Sequence, residues 1–186
     1  PAVVATLLLA SAAAFAIARF RWRWNLTALL AIVAANLLPP QVLVAPVFRL
    51  ALAVPLPAPL SDNGTAYDQA IGVIAVHVAI QLGFCVLVLA NFLKTLPREV
   101  TEAALVDGAS AFQQLWRVVI PMARAPLAAL AVLETTWLYN DFFWALVLMP
   151  TGAKRPVTSA LANLQGQFFL DGNLLAAAAI LVALPP

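Results

Sequence analysis

Charge is scarce in this chain of 186 residues: ten Lys and Arg and eight Asp and Glu make up 10% of it. A soluble domain devotes about a quarter of its residues to charge, so a soluble globular enzyme and a disordered chain are both excluded. Cys85 is the single cysteine, which excludes an intrachain disulfide and a cysteine metal cluster. The pI near 9.2 rests on a net charge of only +2, too little for a nucleic-acid footprint. Lysine occurs only at Lys94 and Lys154. A phosphate-binding P-loop needs Gly, four residues, then Gly-Lys-Ser/Thr. Lys94 precedes Thr95, but Val88 and Leu93 fill the glycine positions, so the chain has no such loop.

Apolar sequence is abundant: 64% of residues are hydrophobic and the mean hydropathy is +0.97. The runs are long and lack alternation of period two, which excludes a β-barrel and predicts an all-α polytopic membrane bundle. At about 20 residues per span, the length predicts about five spans in a single domain, 1–186. The runs are Ala2–Ala18, Leu26–Leu38, Ala70–Leu93, Leu127–Met149 and Leu174–Leu184. Ala10, Ala14 and Ala18 either give the first run a small-residue face for close packing or simply reflect an alanine-rich sequence. Pro39-Pro40 breaks or kinks the second run, and Val42–Val54 reads as a short interfacial or re-entrant helix. Pro55, Pro57, Pro59 and Ser61-Asp62-Asn63-Gly64 read as a loop. The chain starts at Pro1 and stops in Leu184-Pro185-Pro186 beside apolar runs, and is expected to be a piece of a longer protein.

The few charges are unevenly placed. Residues 94–124 hold seven of the eighteen, which marks a solvated loop. Spans alternate sides, so this loop and the Arg19–Trp24 segment share a side, which carries seven cations against three on the other. The positive-inside rule makes that side cytoplasmic, and the alternating Arg and Trp of 19–24 suit a membrane interface.

Within the loop, Pro97 fits a first helical turn, and Glu99 lies near the positive end of the dipole. Gly108 stands where a left-handed residue ends a helix. Ser110 and Gln113 form a capping-box pattern for a second helix over 111–119, which Pro121 stops. The pattern is helix, glycine turn, helix. A DNA-binding unit is disfavoured by its two membrane tethers and its four cations against three anions. A small knob that docks on a partner, with Ala103, Ala104 and Ala109 permitting close approach, and a plain connecting hairpin both remain open.

Glu102-Ala103-Ala104, three residues, Gly108, nine residues, then Val118-Val119-Ile120-Pro121 resembles the EAA loop of ABC importer permeases. Val118 and Ile120 replace the family's Ile and Leu. Phe15–Arg21, Trp137 with Asn140-Asp141-Phe142, and Leu161–Gln167 resemble further segments of the maltose-type carbohydrate-uptake subfamily. The terminal Pro185-Pro186 departs from the pattern.

The resemblance implies a multi-pass permease subunit in a bacterial or archaeal cytoplasmic membrane. Residues 94–125 would form the coupling helix region, with Glu102, Ala103, Ala104, Asp107, Gly108 and Pro121 at the contact with an ATPase. The implied partners are a cytoplasmic ATPase dimer, a second permease in a heterodimer, a periplasmic or lipid-anchored solute-binding protein, and membrane lipids. No nucleic acid, metal or cofactor is expected on this chain, since ATP and Mg²⁺ would sit on the ATPase. The solute would be a sugar or sugar-like molecule. A polyamine or glycerol phosphate is the alternative, and a proton-coupled secondary transporter using Glu134 or Asp141 is a further class.

Glu134 and Asp141 are seven apart, which predicts a shared helical face. With Trp137, Tyr139 and Asn140 they could line a hydrophilic pathway. Helix–helix hydrogen bonding, or an interfacial position for Asn140 and Asp141, is equally consistent with the spacing. His77 and Gln81 share a face and are expected to pair with a neighbouring helix. A membrane-embedded enzyme would need a nucleophile and base or a metal cluster, for which one His and one Cys are little material.

Overall fold

The computed structural model describes residues 1–20, 23–160 and 172–183. Arg21, Trp22, the 161–167 segment of the resemblance and Pro185-Pro186 lie outside the described residues. The regular structure of the described residues is helical, and no strand occurs among them beyond an isolated bridge between Pro55 and Thr65. The chain divides into two compact units, 1–38 with 78–134 and 39–77 with 135–186.

The first unit starts with α1, Ala2–Arg19, and α2, Asn25–Ala35. It takes the C-terminal part of α4, Ala70–Thr95, then α5, Arg98–Val106, and α6, Ala111–Gln114. A π-helical turn, Leu115–Val119, joins α6 to α7, Ile120–Met122, and α8, Arg124–Tyr139, follows. Its core gathers Ala10, Ala14 and Phe15 of α1, Cys85, Val86, Leu89, Ala90 and Leu93 of α4, and Leu115 and Val119 of the π turn. Ala10 and Ala14 are fully buried and Ala18 packs at the margin, so the small-residue face of α1 is a packing face. Gly83 marks the closest approach of α4 to α2. A Cβ there would clash with the Asn36 amide and come within 2.7 Å of the Ile32 carbonyl oxygen.

The second unit contains α3, Pro40–Ala53, with Pro46 inside it, the N-terminal part of α4, and α9, Phe143–Leu148. A short α10, Val157–Ala160, and α11, Gly172–Ala183, follow. α9 packs against α3 and α10 and buries Trp144, Ala145 and Leu148. Asp68, two residues before α4, adopts a left-handed conformation, φ 58°. Its carboxylate accepts from the Thr151 hydroxyl at 2.7 Å, and Lys154 bridges Asp62 at 2.7 Å and Asp68 at 3.5 Å.

α1 and α4, with 18 and 26 residues and hydropathies of 2.0 and 2.5, are long and apolar enough to cross a membrane. Two further segments qualify only as broken pairs, α2 with α3 and α6–α7 with α8. The fifth expected span corresponds to α11, which is apolar but has 12 described residues.

Two local expectations are corrected. Pro121 does not stop the second helix of the loop, because the helix runs on to Met122. The π turn just before Pro121 widens the ladder where its ring would clash with the preceding turn. The chain then bends by 78° at Ala123. The run Leu127–Met149 is likewise not one helix. α8 ends at Tyr139, and α9 restarts at Phe143.

Candidate functional site

The loop folds as the helical hairpin its sequence predicts. Pro97 precedes α5, and Glu99 lies in its first turn. At its far end, Ala109 N–H donates to the Ala104 carbonyl at 2.9 Å and Gly108 N–H to the Leu105 carbonyl at 3.0 Å. This pair is a Schellman closure. It requires a left-handed residue at Gly108, whose φ is 79°. The next helix is capped reciprocally. Gln113 N–H donates to Ser110 Oγ at 3.3 Å, and Ser110 N–H donates to Gln113 Oε1 at 2.8 Å.

No residue of α5 is buried. Glu102, Ala103, Asp107 and Gly108 are exposed and Ala104 is half-buried. Apolar side chains share this exposure: Val106 at 88%, Phe112 at 70% and Leu105 at 65%. The rings of Phe112 and Trp116 pack at 5.9 Å. A concavity of about 380 Å³ runs beside the turn, lined by Ala104, Asp107, Gly108, Ala109, Gln113, Arg117 and Val118. The hairpin's inner end is anchored, since Leu115 and Val119 are buried against the α1–α4 core. A push on the exposed turn therefore reaches packed side chains of the apolar helices within a few residues.

The membrane polar residues are arranged differently from the expectation. Glu134 is fully buried in the first unit, where Cys85 Sγ donates to its Oε1 at 3.4 Å. Asp141 lies beyond the end of α8 and belongs to the second unit. The predicted shared face for Glu134 and Asp141 therefore does not exist. At the helix end, polar side chains bond to backbone groups on both sides of the break. Asn140 Nδ2 donates to the Thr136 carbonyl at 2.9 Å, and the Asp141 carboxylate accepts from Ala145 N–H at 3.3 Å and Trp144 N–H at 3.5 Å. Asp141 thus caps α9, and it also faces His77 Nε2 at 3.2 Å. Trp137 and Asn140 are exposed, and the Tyr139 hydroxyl donates to the Val182 carbonyl at 2.8 Å.

Sequence reading missed three contacts: Cys85 with Glu134, His77 with Asp141, and Lys154 with Asp62 and Asp68. The only available signal was a polar residue in an uncharged run, which flags His77 without naming its partner. Among the described residues no group of three His, Cys, Asp or Glu could hold a metal.

Residues 6–185 match the family of binding-protein-dependent transport system inner membrane components. The chain belongs to that family. A probable ABC transporter permease protein of Pyrococcus horikoshii is 35% identical over 186 residues, all of this chain and 64% of the relative. An osmoprotective compounds uptake permease protein of Synechocystis is 32% identical over 187 residues, all of this chain and 59% of the relative. An alpha-glucoside transport system permease protein of Rhizobium meliloti is 28% identical over 187 residues, 48% of its length. The chain thus spans about half to two thirds of the curated relatives it matches. Its apolar helices and its packed loop are those of a membrane transport component of this family.

Proposed function

We propose that the full-length protein is the permease subunit of an ATP-binding-cassette importer and moves a sugar or sugar-like solute across the cytoplasmic membrane. The observation that carries this reading is the exposed helix–glycine–helix turn, with Gly108 at its tip and Glu102, Ala103 and Ala104 on the helix before it, inside a chain of the transport family. The turn is the docking element for a cytoplasmic ATPase dimer. The small side chains of the exposed Ala103 and half-buried Ala104 let the partner approach the backbone, Glu102 offers a carboxylate to a cation, and Asp107 flanks the turn. Pro121 lies between the π turn and the 78° bend and fixes the hairpin's exit. ATP and Mg²⁺ belong to the ATPase, in keeping with the missing P-loop, and this chain is not an enzyme. A second permease and a solute-binding protein complete the importer, and the loop side faces the cytoplasm.

Relatives named for alpha-glucoside and osmoprotectant uptake support a polyhydroxylated solute. In this reading Trp137, exposed at the end of α8, and Asn140 touch it. Glu134 supports the fold of the first unit, and Asp141 positions the α8–α9 break. The test is uptake of labelled maltose-type sugar by proteoliposomes holding the full-length permease and its partner subunits. Glu102→Lys is expected to leave insertion intact and to lower uptake at least about tenfold, as loss of a desolvated interfacial charge pair does. Normal uptake by that variant would remove Glu102 from the docking contact.

A further inference from the structure

A second cavity, of about 360 Å³, lies where the end of α1 meets α5. Phe15, Arg19 and Phe20 line it from the α1 side, and Arg98, Thr101 and Glu102 from the other. Two guanidiniums therefore share one space with the carboxylate of the exposed Glu102, while the Glu99 carboxylate acts on Arg19 from nearby. Arg19 donates from Nη2 to the Leu96 carbonyl at 3.3 Å. Its Nε is buried and has no hydrogen-bond partner among the described residues. A buried donor without an acceptor is costly, and an anion drawn into the cavity would offset the charge of the same guanidinium. The Phe15 and Phe20 rings, edge to face at 5.7 Å, form an apolar wall beside the cations.

We propose that this cavity binds a phosphate-bearing anion, gripped between Arg19 and Arg98. A guanidinium presents parallel N–H donors that match phosphate oxygens, and two of them offset the anion's charge. Arg19 ends an apolar helix long enough to span a bilayer, which sets the cavity at headgroup depth. The phosphate can thus belong to an anionic lipid or be free in solution. Bound there, it ties the end of α1 to the first turn of α5 and sets how firmly the hairpin is held. This goes beyond the transport assignment and does not depend on it.

The test uses the full-length permease in phosphatidylcholine nanodiscs. Phosphatidylglycerol is titrated in and the retained lipid is counted by native mass spectrometry, with inorganic phosphate as competitor. Saturable binding near one lipid per chain is expected. It should weaken about fivefold in Arg19→Gln and again in Arg98→Gln, and stay unchanged in Arg124→Gln, an exposed cation outside the cavity. Lipid retention that inorganic phosphate does not displace assigns the site to a headgroup, and displacement at millimolar phosphate assigns it to the soluble anion. Wild-type binding by the double variant, or equal weakening by Arg124→Gln, would overturn the site. If the glutamine variants fail to insert, Arg19→Lys with Arg98→Lys decides. Weakened binding supports the two-guanidinium grip, and unchanged binding overturns it.

Discussion

The hairpin at 98–119 and the helix break at 134–148 both expose backbone polar groups on an apolar chain. The hairpin satisfies them with neighbours in sequence. The Schellman bonds reach five and three residues back, and the capping box reaches three. The break uses local partners for its ends, but its charged groups meet distant ones: Asp141 faces His77, and the buried Glu134 of the first unit meets Cys85. A segment held by local rules keeps its shape when its surroundings move, as a lever must. A segment held by distant contacts is only as fixed as the helices that bring those contacts together.

The largest effect is expected at the packing of the first unit, which holds the hairpin. Gly83→Val places side-chain atoms against the Asn36 amide and the Ile32 carbonyl. Overpacking of this kind costs about 1–3 kcal/mol, and more where backbone is met. The first unit should lose thermal stability in detergent, with faster hydrogen exchange in both α2 and α8. A change confined to one of them would contradict a shared core.

At the break, Asp141→Ala removes the α9 cap and the partner of His77. An N-cap loss of about 1–2 kcal/mol is expected, read as faster exchange over 143–148 with the hairpin unchanged. Asp141→Asn keeps a capping oxygen and should recover most of the protection. In the hairpin, Ser110→Ala removes one arm of the capping box, for about 1 kcal/mol. Exchange should rise over 111–114 and leave 143–148 alone. Crossed effects between these variants would dissolve the distinction between the two regions.

The smallest effect concerns the Asp62–Asp68–Lys154 clasp of the second unit. Burial pushes the Asp68 carboxyl up, but hydrogen bonds from Thr151 and the charge of Lys154 outweigh it and hold it below the usual carboxylate value. The hydrogen bond to Asp62 leads the causes that raise Lys154 above the usual lysine value. A depressed carboxylate contributes stability above its unfolded pKa and loses it as pH falls through the folded one. A raised lysine contributes below its unfolded pKa and loses it as pH rises through the folded one. Proteolytic protection of 150–155 should therefore hold through neutral pH, fall below the ordinary carboxylate range, and fall again only in strong alkali.

What was legible in the sequence follows the same division. Gly108, Ser110, Gln113 and Pro97 act through their own backbone neighbours, so their spacing predicted the hairpin. The seven-residue spacing of Glu134 and Asp141 assumed one continuous helix, and α8 ends at Tyr139 between them. Pro121 misled for a related reason, since a stop rule for proline takes no account of a π turn ahead of it. The partners of His77, Cys85 and Lys154 come from other elements, and no local pattern names them.

The most direct measurement of the central claim is made at Gly108, whose φ of 79° closes the hairpin and whose absent Cβ faces open space. Substitutions there strain the turn without a Cβ meeting any neighbouring atom, and asparagine tolerates the left-handed conformation where valine does not. Uptake by the full-length importer, compared for Gly108→Asn and Gly108→Val at equal insertion, should remain largely intact in the first and collapse in the second. Normal uptake with valine would contradict the proposal that this hairpin couples a partner ATPase to the membrane helices.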